Sequence, residues 1–453
     1  MTATARQFHR AANARAFDLR HRAIVAKNTA TYHAAVARGL TRFADWEAAR
    51  SRAAAIKRDA INHLDRYLEQ FEQNIIARGG HVYWAETGAE AVRQIIEIAR
   101  QHGVRKAVKS KSMLTEEIHL NPALEAAGIT VLETDLGEYI CQLRGEPPYH
   151  IVTPVMHLNR EQIAQTFHER FGTPLDATAE QLAAIAREKL RAEFLTADMG
   201  ITGANFAVAD PGMISLCTNE GNARLTTSLP RVHVAVIGIE KIVPHVEDLA
   251  LFWPLLATRG TGQFLTVYNT LIGGSDKLHV ILLDNGRTRL LSDLERRDAL
   301  HCIRCGACLN ACPVYRTVGG HTYGTTYQGP LGCMITPHLR GWADWSHLPY
   351  ASSLCGKCSE VCPVGIPIHH RLLENRRDVV RNRFDPWYQR LAIRLWWVSA
   401  QSATLFALAG KVARWCTRLG IAKPLARPWT KYRDLPSPPQ QAFREWWKNN
   451  ERT

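Results

Sequence analysis

The 453-residue sequence predicts an α/β domain with a mainly parallel sheet, followed by a small helical domain organised by cysteines. Three observations carry this. Short apolar runs alternate with amphipathic helical patterns from His81 to about residue 290. Seven cysteines fall in two phased runs between Cys302 and Cys362. An Ala- and Arg-rich segment with few breakers precedes both.

Residues 1–78 space their apolar positions by three and four, the period of a helix, as in the run from Ala53 to Leu68. Gly79-Gly80 ends that pattern. Strands are expected at His81–Ala85, Lys106–Lys109 and Ile129–Asp135, with helices at Gly88–His102 and Ile118–Ala127 between them. Residues 155–200 read as mostly helical. Further strands are expected at Phe206–Ala209, Met213–Cys217, Val232–Ile239 and Val280–Leu283. Strands alternating with helices form βαβ units and hence a parallel sheet. The resulting division is 1–78 helical, 79–292 α/β, 293–380 cysteine-rich and 381–453 a basic tail.

The first cysteine run is Cys302-Ile-Arg-Cys305-Gly-Ala-Cys308-Leu-Asn-Ala-Cys312-Pro313, and the second is Cys355-Gly-Lys-Cys358-Ser-Glu-Val-Cys362-Pro363. Three thiolates at i, i+3 and i+6 wrap one cubane, and the fourth, followed by Pro, turns to the other cluster. Two iron–sulfur clusters in an all-α, ferredoxin-like domain are therefore expected. Cys302, Cys305, Cys308 and Cys362 would hold one [4Fe–4S] cluster; Cys312, Cys355 and Cys358 would hold the second, one ligand short. Position 352, where that ligand is expected, is Ser352. Cys333 in the intervening segment is a candidate, while a serine or water ligand, or a [3Fe–4S] cluster, also fits three thiolates. Zinc ribbons pair their ligands as C-x2-C, which suits neither the triplet nor the Cys-Pro endings. Disulfides need an oxidising compartment, and the N-terminus has no apolar signal core. A reducing cytoplasm is expected, and it suits Cys141, Cys217, Cys333 and Cys416 as well.

The length allows two or three domains, each with its own core. Of the net charge of +14, residues 371–453 supply 17 Lys+Arg against 6 Asp+Glu, together with seven of the twelve Trp. Basic residues with interleaved aromatics raise nucleic acid, but no helix-turn-helix, zinc finger or RNP motif supports it. Leu395–Gly410 is 16 residues, short of the ~20 a spanning helix needs. An amphipathic helix on a partner, on a membrane surface or on its own iron–sulfur domain is expected instead.

Two polar clusters mark the α/β region. Lys109-Ser110-Lys111-Ser112 sits at a strand-to-helix junction, which aims free N–H groups at an anion. The alternative is a capped helix start with Ser112 as N-cap. The second cluster runs from Gly200 to Arg224 and is dense in Gly and Asn. Asn205, Asn219, Glu220, Asn222 and Arg224 are placed to line a pocket at the carboxyl ends of strands. Its alternative is hairpin chemistry. With Lys109 and Lys111 these are the candidate substrate-binding residues. No dinucleotide fingerprint, P-loop or nucleophile triad is present.

Ile201-Thr-Gly-Ala-Asn-Phe-Ala-Val-Ala209 with Asn219-Glu-Gly-Asn-Ala-Arg224 resembles the lactate-utilization (LUD) domain. The cysteine region, with Pro313-Val-Tyr-Arg316, Gly319-Gly-His-Thr-Tyr-Gly324 and Gly329-Pro-Leu-Gly332, is similar to the ferredoxin half of the lactate utilization protein B family. So are Arg433-Asp-Leu-Pro436 and Phe443-Arg-Glu-Trp446, so the resemblance spans nearly the whole chain. One departure is Asp210-Pro-Gly212, where a Thr-Gly pair is expected; three cysteines in the second run are usual. The resemblance implies a NagB/RpiA-like α/β domain and an electron-transfer subunit of a flavin-independent system oxidising L-lactate to pyruvate. It also implies a cysteine-rich oxidoreductase partner. Rival expectations are a stand-alone oxidoreductase with an anionic-substrate pocket, and a non-catalytic assembly module.

Overall fold

A computed structural model describes residues 2–421, 424, 430 and 433–450. Trp429 lies outside them. The chain forms two compact units, Met1–Val379 and Val380–Thr453.

The first unit opens with helices Ala3–Ala16, Leu19–Leu40, Trp46–Asn62 and Leu64–Ala77. Thr2, Asp18 and Asp45 cap the first three, each side chain accepting a backbone N–H of the first turn. Leu64–Ala77 buries Leu64, Leu68, Phe71 and Ile75, a stripe at helical spacing.

The α/β region holds two sheets where one was expected. Strands β1 (His81–Ala85), β2 (Lys106–Lys109), β3 (Thr130–Glu133), β4 (Met199–Thr202), β7 (Val232–Gly238) and β10 (Leu278–Leu283) form a wholly parallel sheet, ordered β1-β10-β7-β4-β2-β3. β7 and β10 are buried along their whole length, as central parallel strands covered on both faces must be. A second, mixed sheet runs β8 (Ile242–His245), β5 (Phe206–Asp210), β6 (Met213–Thr218), β9 (Tyr268–Gly273). β5 and β6 pair antiparallel across Pro211-Gly212, so this stretch has the hairpin chemistry that the sequence left open. Gly212, at φ +79°, supplies the left-handed turn residue.

β4, β8 and β9 were not expected. Gly200 and Gly203 make β4 read as turns, yet Gly200 is there for packing. A Cβ on it would lie 1.8 Å from the Thr226 carbonyl oxygen, because helix Asn222–Ser228 crosses β4 at backbone contact.

After β10 the described residues contain helices and turns and no strand. Cys312 caps helix Pro313–Val318 and Pro313 fills its first position, where the missing N–H costs nothing. Cys333 sits on Gly329–Arg340, a helix buried over most of its length.

The second unit contains helices Trp387–Ala400, Ala403–Arg418 and Phe443–Asn450. The 16-residue apolar stretch is broken at Gln401-Ser402. None of these helices buries a residue, and Trp387, Trp396, Trp397 and Trp415 are exposed. No described helix is long and apolar enough to cross a membrane.

Candidate functional site

The fold gathers the cysteine sulfurs into two neighbouring groups. Burial pushes the Cys308 thiol well up, and the sulfurs of Cys302, Cys305, Cys358 and Cys362 push it further. Burial, with Cys362 and Cys302 alongside, brings Cys305 to about 12. Cys362, from the second run, is raised to about 11 by burial and by Cys302. Cys312, from the first run, is raised by burial and, among the other cysteines, by Cys355. Burial and Cys312 raise Cys358 to about 11. Cys333, fully buried, is raised well above the ordinary thiol range by burial and by Cys312, with Cys358 also acting on it. Ser352 spends its oxygen locally, accepting the Leu354 N–H at 3.1 Å.

This donor set fits iron. All eleven cysteines are free thiols. Backbone N–H groups already aim at sulfur: Arg304 N–H to Cys302 (3.4 Å), Tyr315 to Cys312 (3.5 Å) and Ile366 to Cys362 (3.4 Å). Such donors stabilise thiolates and help set a cluster's potential. Buried thiols raised this far ionise only when a metal displaces the proton. Cys355 differs. It is exposed, and its thiol is lowered by the Lys357 N–H and the Ser353 hydroxyl.

Beside the first group lies a cavity of about 440 Å³, lined by Lys111, Asp135, Asn205, Asn219, Glu220 and Asn222 from the α/β region and by Arg304 and Cys305 from the first cysteine run. A narrower pocket of about 110 Å³ shares Lys111, Asn205 and Arg304 with it and adds Ser112 and Lys241. Five of the seven candidate substrate residues therefore meet here.

Lys109 and Arg224 do not. Lys109 is fully buried and ion-paired with Glu133 (2.8 Å) and Glu116 (3.3 Å). It lines neither pocket. Arg224 lies exposed on helix Asn222–Ser228, away from the cavity lining. Ser112 does cap its helix, accepting the Thr115 N–H, as the alternative reading had it.

Lys111 donates to Asp135 (3.1 Å) and to the Val152 carbonyl (3.0 Å). Glu220 is exposed as a residue, but its carboxylate turns inward to accept the Leu136 N–H at 2.9 Å. Burial of that group and the neighbouring Asp135 raise it to about 7. Deeper, Glu240 is held at about 2 against its burial by Arg287 (2.6 Å) and Arg304 (3.1 Å). The Arg304 guanidinium also lies over the Tyr327 ring at 4.8 Å.

Arg304, Lys241 and Asp135 escaped sequence reasoning. Arg304 had a signal, being the one charged residue inside the first cysteine run. Lys241 follows a strand by three residues in an apolar stretch, and nothing in its spacing marks it.

Residues 68–286 match the LUD domain and residues 298–366 the 4Fe-4S dicluster domain. Curated relatives named lactate utilization protein B align over nearly the whole chain. The protein from Shouchella clausii is 46% identical, covering 89% of this chain and 88% of its own. The protein from Lysinibacillus sphaericus is 46% identical over 89% of each, and that from a Geobacillus strain 43% over 90% of each. A crystal structure of a DUF162 family protein from Deinococcus radiodurans covers 49% of this chain and 98% of its own at 17% identity, with a TM-score of 0.27, too low to carry a structural argument. The 4Fe-4S dicluster match after the LUD domain and the 46% identity over about nine-tenths of the chain agree: the chain belongs to the lactate utilization protein B family.

Proposed function

We propose that this protein is the iron–sulfur electron-transfer subunit of a cytoplasmic system that oxidises L-lactate to pyruvate. The match of residues 298–366 to the 4Fe-4S dicluster domain carries the electron-transfer part, and the charge interactions of Cys362 with Cys302 and of Cys312 with Cys355 and Cys358 support the crossed assignment. Cys302, Cys305, Cys308 and Cys362 would hold one [4Fe–4S] cluster, and Cys312, Cys355 and Cys358 the other. Clusters of this kind pass single electrons and supply no acid or base. The α/β region, for which we infer a NagB/RpiA-like fold, and the helical iron–sulfur domain would hold the clusters at fixed distance from a cysteine-rich partner. Lactate utilization in the names of the relatives supplies the physiological context.

Deleting the chain should abolish growth on L-lactate as sole carbon source; normal growth overturns the reading. Iron analysis with EPR should give about eight irons per chain and no [3Fe–4S] signal.

A second reading is favoured by one observation: the cavity adjoins Cys305. A stand-alone oxidoreductase would bind its substrate there at Lys111, Asn205, Asn219, Glu220 and Asn222. Purified protein reducing an artificial dye with lactate, without partners, would select this reading; activity only with partners selects the first.

A further inference from the structure

The inner pocket beside Arg304 has a donor surface with nothing bound to it in the fold. The Lys241 ammonium makes no hydrogen bond and no ion pair within 4 Å among the described residues. Every other cation around it is engaged. Arg287 and Arg304 hold Glu240, Lys111 holds Asp135, and Lys57 donates to the Glu240 and Ile242 carbonyls (2.6 and 3.0 Å). Asn205 is fixed by its oxygen, which accepts the Cys217 N–H at 2.9 Å, so its amide N–H groups stay uncommitted. Ser112 likewise accepts from Thr115 and keeps its proton. Glu240, the one carboxylate in the lining, is already shared between two guanidinium groups.

An ammonium, an amide N–H and a hydroxyl around one small space call for a ligand that only accepts, and that is negative. The rest of the wall narrows the choice. Met113, Leu114, Ile151, Leu216 and Val236 face the same pocket, so the ligand has an apolar end too. Its volume of about 110 Å³ is well below the several hundred Å³ that a nucleotide- or drug-sized ligand occupies. Inorganic phosphate would satisfy the donors but leave the apolar wall bare.

We propose that the pocket between Lys241, Asn205, Ser112 and Arg304 binds a short-chain 2-hydroxy- or 2-oxo-carboxylate, with the carboxylate on Lys241 and the 2-oxygen on Asn205 and Ser112. The proposal rests on the lactate reading only for which acid is bound. Lys241 is here a binding residue that the fold leaves open, next to the first group of sulfurs.

Equilibrium dialysis of the full-length, cluster-loaded protein against labelled L-lactate and pyruvate tests this. Binding of either probe is expected, with affinity falling about tenfold or more in Lys241→Met. Lys241→Arg should restore most of it, and iron content should match the wild type in both. In the unaltered protein, L-lactate or pyruvate should slow acetic anhydride labelling of Lys241, read by peptide mass spectrometry. Unchanged affinity in Lys241→Met, or no protection of Lys241, overturns the proposal. So does binding of phosphate with neither acid bound. A Lys241→Met protein that binds normally but shows a shifted cluster potential would make Lys241 a counter-charge to the cluster, and the pocket assignment would fall. Glycolate bound in place of lactate and pyruvate would keep the pocket and sink the lactate reading; loss of iron without loss of binding would do the reverse.

Discussion

At the scale of single residues, the fourth ligand of the second cluster is the sharpest question. Cys333 is fully buried and its thiol is raised by Cys312 and Cys358 nearby, whereas Ser352 accepts the Leu354 N–H of its own backbone. Cys333→Ala should therefore lower iron from about eight to about seven per chain and give a [3Fe–4S] EPR signal in the oxidised protein, while Ser352→Ala changes neither. An unchanged iron count in Cys333→Ala would rule Cys333 out. The iron–sulfur region was legible because the phased spacing of its cysteines is the signature of the dicluster domain that residues 298–366 match. Lys109 and Lys111 were not, since both are ion-paired and only packing encloses Lys109 among Glu133 and Glu116 while Lys111, on Asp135, still lines the cavity. Glu220 carries a pH prediction. The unfolded carboxyl titrates near 4.5 and the folded one near 7, so the folded chain holds the extra proton between those values. Its contribution to stability thus falls as pH rises through that window. Glu220→Gln, which keeps the oxygen for the Leu136 N–H, should melt higher than the wild type at pH 8 and match it at pH 4. Equal melting at both would refute the raised carboxyl.

At the scale of elements, strand periodicity found β1, β2, β3, β5, β6, β7 and β10 and missed β4, β8 and β9. β8 and β9 are short or half-exposed strands of the second sheet, and neither shows the continuous apolar run of a central parallel strand. β4 was hidden by Gly200, whose role is to admit helix Asn222–Ser228 to backbone contact. That helix delivers Asn222 to the cavity, so the close approach has a functional consequence. Gly200→Ala places a Cβ 1.8 Å from a carbonyl oxygen, and backbone must move to relieve it. Overpacking of this kind costs about 1–3 kcal/mol or more. A drop of that size in urea-unfolding free energy is expected, together with weaker binding in the cavity. A variant as stable as the wild type would show that the helix can shift freely.

At the scale of the whole molecule, the order of parts was legible because the composition changes sharply from one to the next. The sequence does not say how the tail is used, since apolar spacing reads alike for a helix packed at home and one awaiting a surface. The structure supplies a distinction. All seven phased cysteines, and Cys333, belong to the unit Met1–Val379, which has its own large cores. The described helices Trp387–Ala400, Ala403–Arg418 and Phe443–Asn450 bury no residue, although burial of an apolar face is the usual source of helix stability. Ending the chain at Arg383, where φ is +59° just past helix Ile368–Arg381, removes 12 Lys+Arg, 4 Asp+Glu and seven Trp, and of the eleven cysteines only Cys416. The shortened protein should keep its iron content, visible absorption and melting temperature, because the phased cysteines, Cys333 and the large cores all belong to the retained unit. It should fail to support growth on L-lactate if the exposed aromatics and positive charge dock the chain onto an acidic partner. Loss of iron on truncation would mean that the tail is part of the iron–sulfur fold, and normal growth would mean that the tail has no role in assembly.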